Sequence, residues 1–212
     1  MAGHKSNGKL SNAKKVVERR LFKGAGRWVI EFLLTLGVLY FIFAGTLILI
    51  FRTDAYWMAV TSGSMVHDGQ DWKVYFEDVN VRKSFLVSQG LTQVAENTLT
   101  FDASKFPIQG GFERGDLLFI QGVGSVSDIS IGDVLIVDRS PYTIPLTHRV
   151  LAVWEEGGAV RFTTKGDHND YLVNPSDTPW PDDLIIYPER ITGKVVFVVP
   201  KLGNIALWFQ NR

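Results

Sequence analysis

Residues 28–51, WVIEFLLTLGVLYFIFAGTLILIF, form a run of 24 residues with a single charged side chain, Glu31, near its start. As a helix rising about 1.5 Å per residue the run reaches roughly 36 Å, enough to cross a hydrocarbon core of about 30 Å with some tilt. The apolar core of a removable secretory signal is only about 7–15 residues. The run is therefore read as an uncleaved transmembrane helix, and the lipid bilayer as its partner. Glu31, close to the basic end, is expected to reach the headgroup region or to pair with Arg27. This reading divides the chain into a tail at 1–27, a helix at 28–51 and a domain at 53–212.

Charge agrees with the division. The tail carries eight Lys or Arg against one acid, Glu18, whereas residues 53–212 carry 13 basic and 20 acidic groups. Beside an apolar run, a basic leader reads as membrane topology, and no nucleic-acid partner is expected. The excess of positive charge places the N-terminus in the cytoplasm and residues 53–212 on the extracytoplasmic side of the cell membrane. The chain has no cysteine, so the exported domain must hold together without disulfides.

Beyond the helix the pattern changes to short apolar runs rich in Val, Ile and Phe. They are LLFIQGV (117–123), DVLIVD (133–138), HRVLAVW (148–154), AVRFTT (159–164) and KVVFVV (194–199), separated by turn signals such as Glu156-Gly157-Gly158. No helical stretch of ten or more residues lies between them, so the domain reads as mainly β, without βαβ units. Residues 67–111 read as an insertion, a hairpin or small subdomain of its own. Residues 170–189 read as a Pro- and Asp-rich loop with a short strand, and the apolar end 205–209 as a segment that docks on the domain or dips into the membrane interface.

Three places carry residues with chemical potential. Thr61-Ser62-Gly63-Ser64-Met65 is a small-residue turn that can expose a serine hydroxyl together with its own backbone N–H. Serine is a poor nucleophile at neutral pH and needs a base within hydrogen-bond reach. His4 lies in the tail, which leaves His67 on the same loop as Ser64, His148 at the start of an apolar strand, and His168. Thr164-Lys165-Gly166-Asp167-His168-Asn169-Asp170 runs from a strand into a turn, where an Asp can orient an imidazole and stabilise its cation. The same cluster fits neither a calcium loop nor a zinc motif, so no metal and no cofactor are expected.

Taken in order, the anchor, Ser62-Gly63-Ser64-Met65, Phe112-Glu113-Arg114-Gly115-Asp116-Leu117-Leu118, Ile131-Gly132-Asp133-Val134 running to Thr147-His148-Arg149-Val150, and Thr164-Lys165-Gly166-Asp167 resemble the type I signal peptidase family. His-Arg-Val in place of Lys-Arg-Val makes the resemblance one to its archaeal and endoplasmic-reticulum branch. The resemblance implies an all-β catalytic core and a serine endopeptidase that removes signal peptides from exported preproteins, in contact with secretion machinery. It implies Ser64 as nucleophile, His148 as general base and Asp167 as the acid that supports the base. Ser62, with the Ser64 N–H, would line the oxyanion hole.

Three departures accompany the resemblance. The family often has proline two residues after the motif's methionine, where this chain has His67. About 45 residues separate the serine motif from Gly115-Asp116, a stretch often short in the family. The family also places a second functional aspartate about six residues after the first, but position 173 is valine. Four residues inserted at 170–173 would make Asp177 that aspartate, with Asp170 as the alternative. The rival to an enzyme is a non-catalytic, membrane-anchored β-domain subunit of a secretion complex.

Overall fold

The structure, a computed structural model, describes residues 6–69, 71–140, 144–173 and 183–210. It divides into two compact units, residues 1–49 and 50–212. The first is the helix α1, Ser6–Phe51, which runs on past the end of its unit; its segment Gly26–Phe51 is long and apolar enough to cross a membrane. At about 1.5 Å per residue those 26 residues extend about 39 Å. Large apolar side chains from Trp28 to Phe43 stand exposed along it, as a surface that meets lipid requires. Arg27 Nε donates to Glu31 Oε1 at 2.7 Å, one turn apart, so the lone acid is paired as the sequence implied. Helix α1 stops where Arg52 takes a positive φ of 57°.

The second unit is built on one antiparallel sheet. Its strands are β1 (Trp57–Ala59), β2 (Leu117–Gln121), β3 (Val134–Val137), β4 (Leu146–Glu156), β5 (Ala159–Lys165) and β6 (Ile191–Val199), in the spatial order β1-β2-β6-β3-β4-β5. All five apolar runs picked out in the sequence are strands. The short β1 was not, because three residues leave no alternation to read. Strand β3 is buried at all four positions, consistent with its unbroken apolar run between β6 and β4.

Of the two expectations for the long stretch before β2, the structure shows no hairpin among the described residues: the stretch is helical, with α2 (Val74–Glu77), α3 (Val79–Ser88) and α4 (Thr92–Glu96). Its valines favoured a strand reading, but Asp78 caps α3 by accepting from the N–H groups of Asn80 and Val81 at 2.8 and 3.2 Å. Phe76, Leu86, Val94 and Ala95 from these helices join Trp72, Ala103 and Phe106 in a core shared with Leu151 and Ala152 of β4. A second core gathers Val60, Met65, Phe112, Leu118, Ile120, Val134, Ile136 and Val195. It lies directly beside the serine turn, because Met65 is 1% exposed. The chain ends in α5 (Gly203–Gln210), whose Ile205, Trp208 and Phe209 are exposed.

Candidate active site

Ser64 is held by its backbone. Its carbonyl accepts from the N–H of His168 at 2.9 Å, and the Met65 carbonyl accepts from Phe112 N–H at 3.1 Å. The Asp167 N–H points at the Met65 sulfur, 3.4 Å away. A Cβ on Gly166 would come within 2.8 Å of the Ser64 carbonyl oxygen, so only glycine lets the serine turn lie this close to the end of β5. Among the described residues the Ser64 hydroxyl and its own N–H have no hydrogen-bond partner. Ser62, two residues earlier, is exposed.

His148 sits on β4 opposite Leu135, 2% exposed. Strand β4 pairs Arg149 with Lys165, so the next position outward sets His148 beside Gly166, the residue against which the serine turn packs. The carboxylate on the imidazole comes from Asp183: His148 Nδ1 and Asp183 Oδ1 are 2.7 Å apart. Asp183 is fully buried and held on three other sides. Thr164 Oγ1 donates to Oδ1 at 2.5 Å, Val173 N–H donates to Oδ2 at 2.9 Å, and Thr164 N–H donates to the Asp183 carbonyl at 2.8 Å. With Nδ1–H committed to a carboxylate, Nε2 is the nitrogen left with a lone pair to accept a proton.

Asp167 is engaged elsewhere. It accepts from Arg149 Nε at 3.0 Å and Nη2 at 2.8 Å, and pairs with His67 Nε2 at 2.8 Å. Burial pushes this carboxyl upward, but the hydrogen bonds and charges of His67 and Arg149 outweigh that and hold it below the usual carboxylate range. Arg149 itself is fully buried and donates to the carbonyls of Pro107, Gly132 and Ile108. Replacing Asp167 with alanine strands a buried guanidinium, which typically costs about 3–5 kcal/mol. Thermal unfolding of the detergent-solubilised chain is expected to register that loss.

Lys165 is the site's other buried cation, 1% exposed. Its Nζ donates to the Gly166 carbonyl at 3.0 Å and stands 4.0 Å from the centre of the Tyr75 ring. Burial lowers the amine to about 8 despite the neighbouring charges of Asp167, Asp170 and Asp183. A lysine depressed from 10.5 binds its proton less well folded than unfolded, so the penalty is complete below pH 8 and fades as pH rises from about 8 to 10.5. At about 1.4 kcal/mol per pH unit it amounts to about 3 kcal/mol at most. Lys165→Met is expected to raise unfolding stability by up to that amount at pH 7, with an advantage that shrinks above pH 8. Chemical denaturation at pH 7 and pH 10 checks both.

No protein-family model matches the chain. Curated relatives do. The signal peptidase complex catalytic subunit SEC11 of Lachancea thermotolerans is 33% identical over 109 residues, 49% of this chain and 61% of that protein. The putative signal peptidase complex catalytic subunit SEC11B of Homo sapiens is 26% identical over 141 residues, 62% of this chain and 81% of its own. The subunit SEC11 of Colletotrichum graminicola is 25% identical over 128 residues, 58% of this chain and 72% of its own. Over these spans the chain is similar in sequence to signal peptidase complex catalytic subunits.

Against the site expected from that resemblance, the geometry differs in its acid. The structure brings Ser64, His148 and the Gly166–Asp167 turn to one end of the β4–β5 pair. It gives His148 the carboxylate of Asp183, not that of Asp167, because the Asp167 side chain is drawn to Arg149 and His67. Asp170 is exposed and Asp177 lies outside the described residues. Asp183 was missed because no spacing rule anticipates how many residues separate it from Asp167. A usable signal was present: an Asp pair directly before the apolar run Leu184-Ile185-Ile186, a run that returns to the sheet, where Ile186 bridges Phe162 of β5. Among the described residues no group of three or more His, Cys, Asp or Glu could hold a metal ion.

Proposed function

We propose that this chain is a membrane-anchored serine endopeptidase that removes N-terminal signal peptides from exported preproteins. The observation that carries the reading is the buried His148–Asp183 pair set beside the Gly166 backbone on which the Ser64 turn rests. His148 Nε2 takes the Ser64 proton as the hydroxyl attacks the scissile carbonyl, and the imidazolium is stabilised by Asp183. The Ser64 N–H and the Ser62 hydroxyl receive the oxyanion. The imidazolium then protonates the leaving amine, and the same ring activates the water that releases the acyl-enzyme. Asp167 keeps Arg149 buried beneath the serine turn and does not touch the reacting atoms. The basic tail stays in the cytoplasm and the catalytic domain works on the extracytoplasmic side, within a secretion complex. The names of the curated relatives support both the reaction and the membership of a complex.

The test is a cleavage assay with the full chain in detergent and a preprotein whose product N-terminus is read by mass spectrometry. One cut after small residues at the first and third positions before it is expected. No cut, or a cut indifferent to a tryptophan placed directly before it, would sink the proposal and leave the non-catalytic subunit.

A further inference from the structure

Three residues beyond Ser64, His67 makes a bond that the proposed chemistry does not use. Its Nε2 is 2.8 Å from Asp167 Oδ2, and its side chain is 14% exposed. The ring stacks on Trp72 with centroids 4.9 Å apart and planes 17° from parallel. The guanidinium of Arg149 also stands over Trp72, 4.4 Å from the ring centre. Gly111 closes on the imidazole from the loop before β2: a Cβ there would be 2.9 Å from His67 Cδ2 and 2.3 Å from the Met65 carbonyl oxygen. The His67 ring is therefore held in one pose by a carboxylate, an indole and a backbone.

That pose closes a seam. Ser64 O to His168 N, Met65 S to Asp167 N, and His67 to Asp167 are three consecutive ties between the serine turn and the Gly166–His168 turn. The Gly166–His168 turn continues β5, whose partner β4 carries His148. The first two ties are a backbone bond and a weak sulfur contact, and both lie on the Ser64–Met65 side of the turn. His67 pins the other side to a carboxylate that Arg149 already fixes in place. A proline here would stiffen the loop through its own backbone; in this chain a side chain does so by reaching across to the strand pair that bears the base.

We propose that His67 is a positioning residue for Ser64, acting through its hydrogen bond to Asp167 to hold the nucleophile in register with His148. The inference rests on the serine-protease reading given above. A displacement of about 1 Å at the reacting atoms can cost on the order of 100-fold in rate, so the bond is expected to show in kcat and not in substrate affinity.

The test compares wild type, Ser64→Ala, His67→Phe and His67→Gln in the same preprotein cleavage assay, with unfolding temperature measured for each. Phenylalanine keeps a ring over Trp72 and removes the hydrogen bond; glutamine keeps an N–H that can reach Asp167. His67→Phe is expected to lose roughly 10- to 100-fold in kcat at unchanged KM and near-native unfolding temperature, with His67→Gln within about threefold of wild type. A kcat for His67→Phe within about threefold of wild type overturns the inference. So does a loss shared equally by the glutamine variant, or one that tracks a fall in unfolding temperature. Failure of the wild type to cleave, or cleavage by Ser64→Ala, overturns the protease reading and this one with it. Normal wild-type behaviour with an unaffected His67→Phe overturns this one alone.

Discussion

Replacing Ser64 with alanine is expected to lower kcat for preprotein cleavage by about a millionfold, the scale seen when a hydrolase loses its nucleophile. The change is clean here because none of the ties that hold the serine turn runs through the Ser64 hydroxyl. The Ser64 carbonyl accepts from His168, the neighbouring Met65 is buried in the core, and among the described residues the hydroxyl bonds to nothing. Alanine removes the attacking oxygen and leaves the N–H that would face the oxyanion. KM should therefore hold, and stability should stay within about 0.5 kcal/mol, as for substitutions that disturb no packing or network. Steady-state kinetics with a peptide spanning a signal cleavage site, together with thermal unfolding, measures both. Residual activity above about 1% of wild type would mean that another group attacks the carbonyl.

Asp183→Asn is expected to cost about 10⁴-fold in kcat while the protein remains folded. An amide nitrogen facing Nδ1 donates a hydrogen bond, which moves the imidazole proton to Nε2, the nitrogen that must receive the serine proton. Asparagine keeps the size of the side chain, so the contacts with Thr164 and Val173 lose charge but not shape. The informative comparison is with Asp170→Asn, an exposed position, which should cleave within about twofold of wild type. If Asp170→Asn fails and Asp183→Asn cleaves normally, the acid has been assigned to the wrong residue.

The two acids also mark where the sequence could and could not be read. The strands were legible because runs such as Asp133–Asp138 and Lys194–Val199 are short, β-branched and bounded by turns, which only a sheet satisfies. Ser64 and His148 were picked out by order: the serine turn, the His-Arg-Val strand and the Lys-Gly-Asp turn follow the anchor in the sequence the resemblance requires. Asp183 was not. Its position depends on where the chain returns to β5, and nothing local to Asp183 encodes that return except the apolar Leu184–Ile186 that follows. Asp167 misled for a related reason. It is adjacent to the site in sequence and in space, but its partner is decided by Arg149, which no spacing links to it. The helices of 74–96 were hidden because their valines carry a β preference that the Asp78 cap and the shared core override.

The helical stretch between the serine motif and β2 bears on how this chain can change over time. Trp72 lies over Arg149, Tyr75 and Phe85 lie over Lys165, and Phe76 and Leu86 complete the core of β4. A segment that reads as an appendage has thus become entrenched. Once the sheet carries two cations that these aromatic rings roof, a descendant that deleted the helices would expose apolar strand surface and disturb both charged networks in a single step. Loss of the segment would require compensating changes at Arg149 and Lys165 first. The substitutions tolerated beside His148 are therefore conditioned by residues more than fifty positions away in the chain.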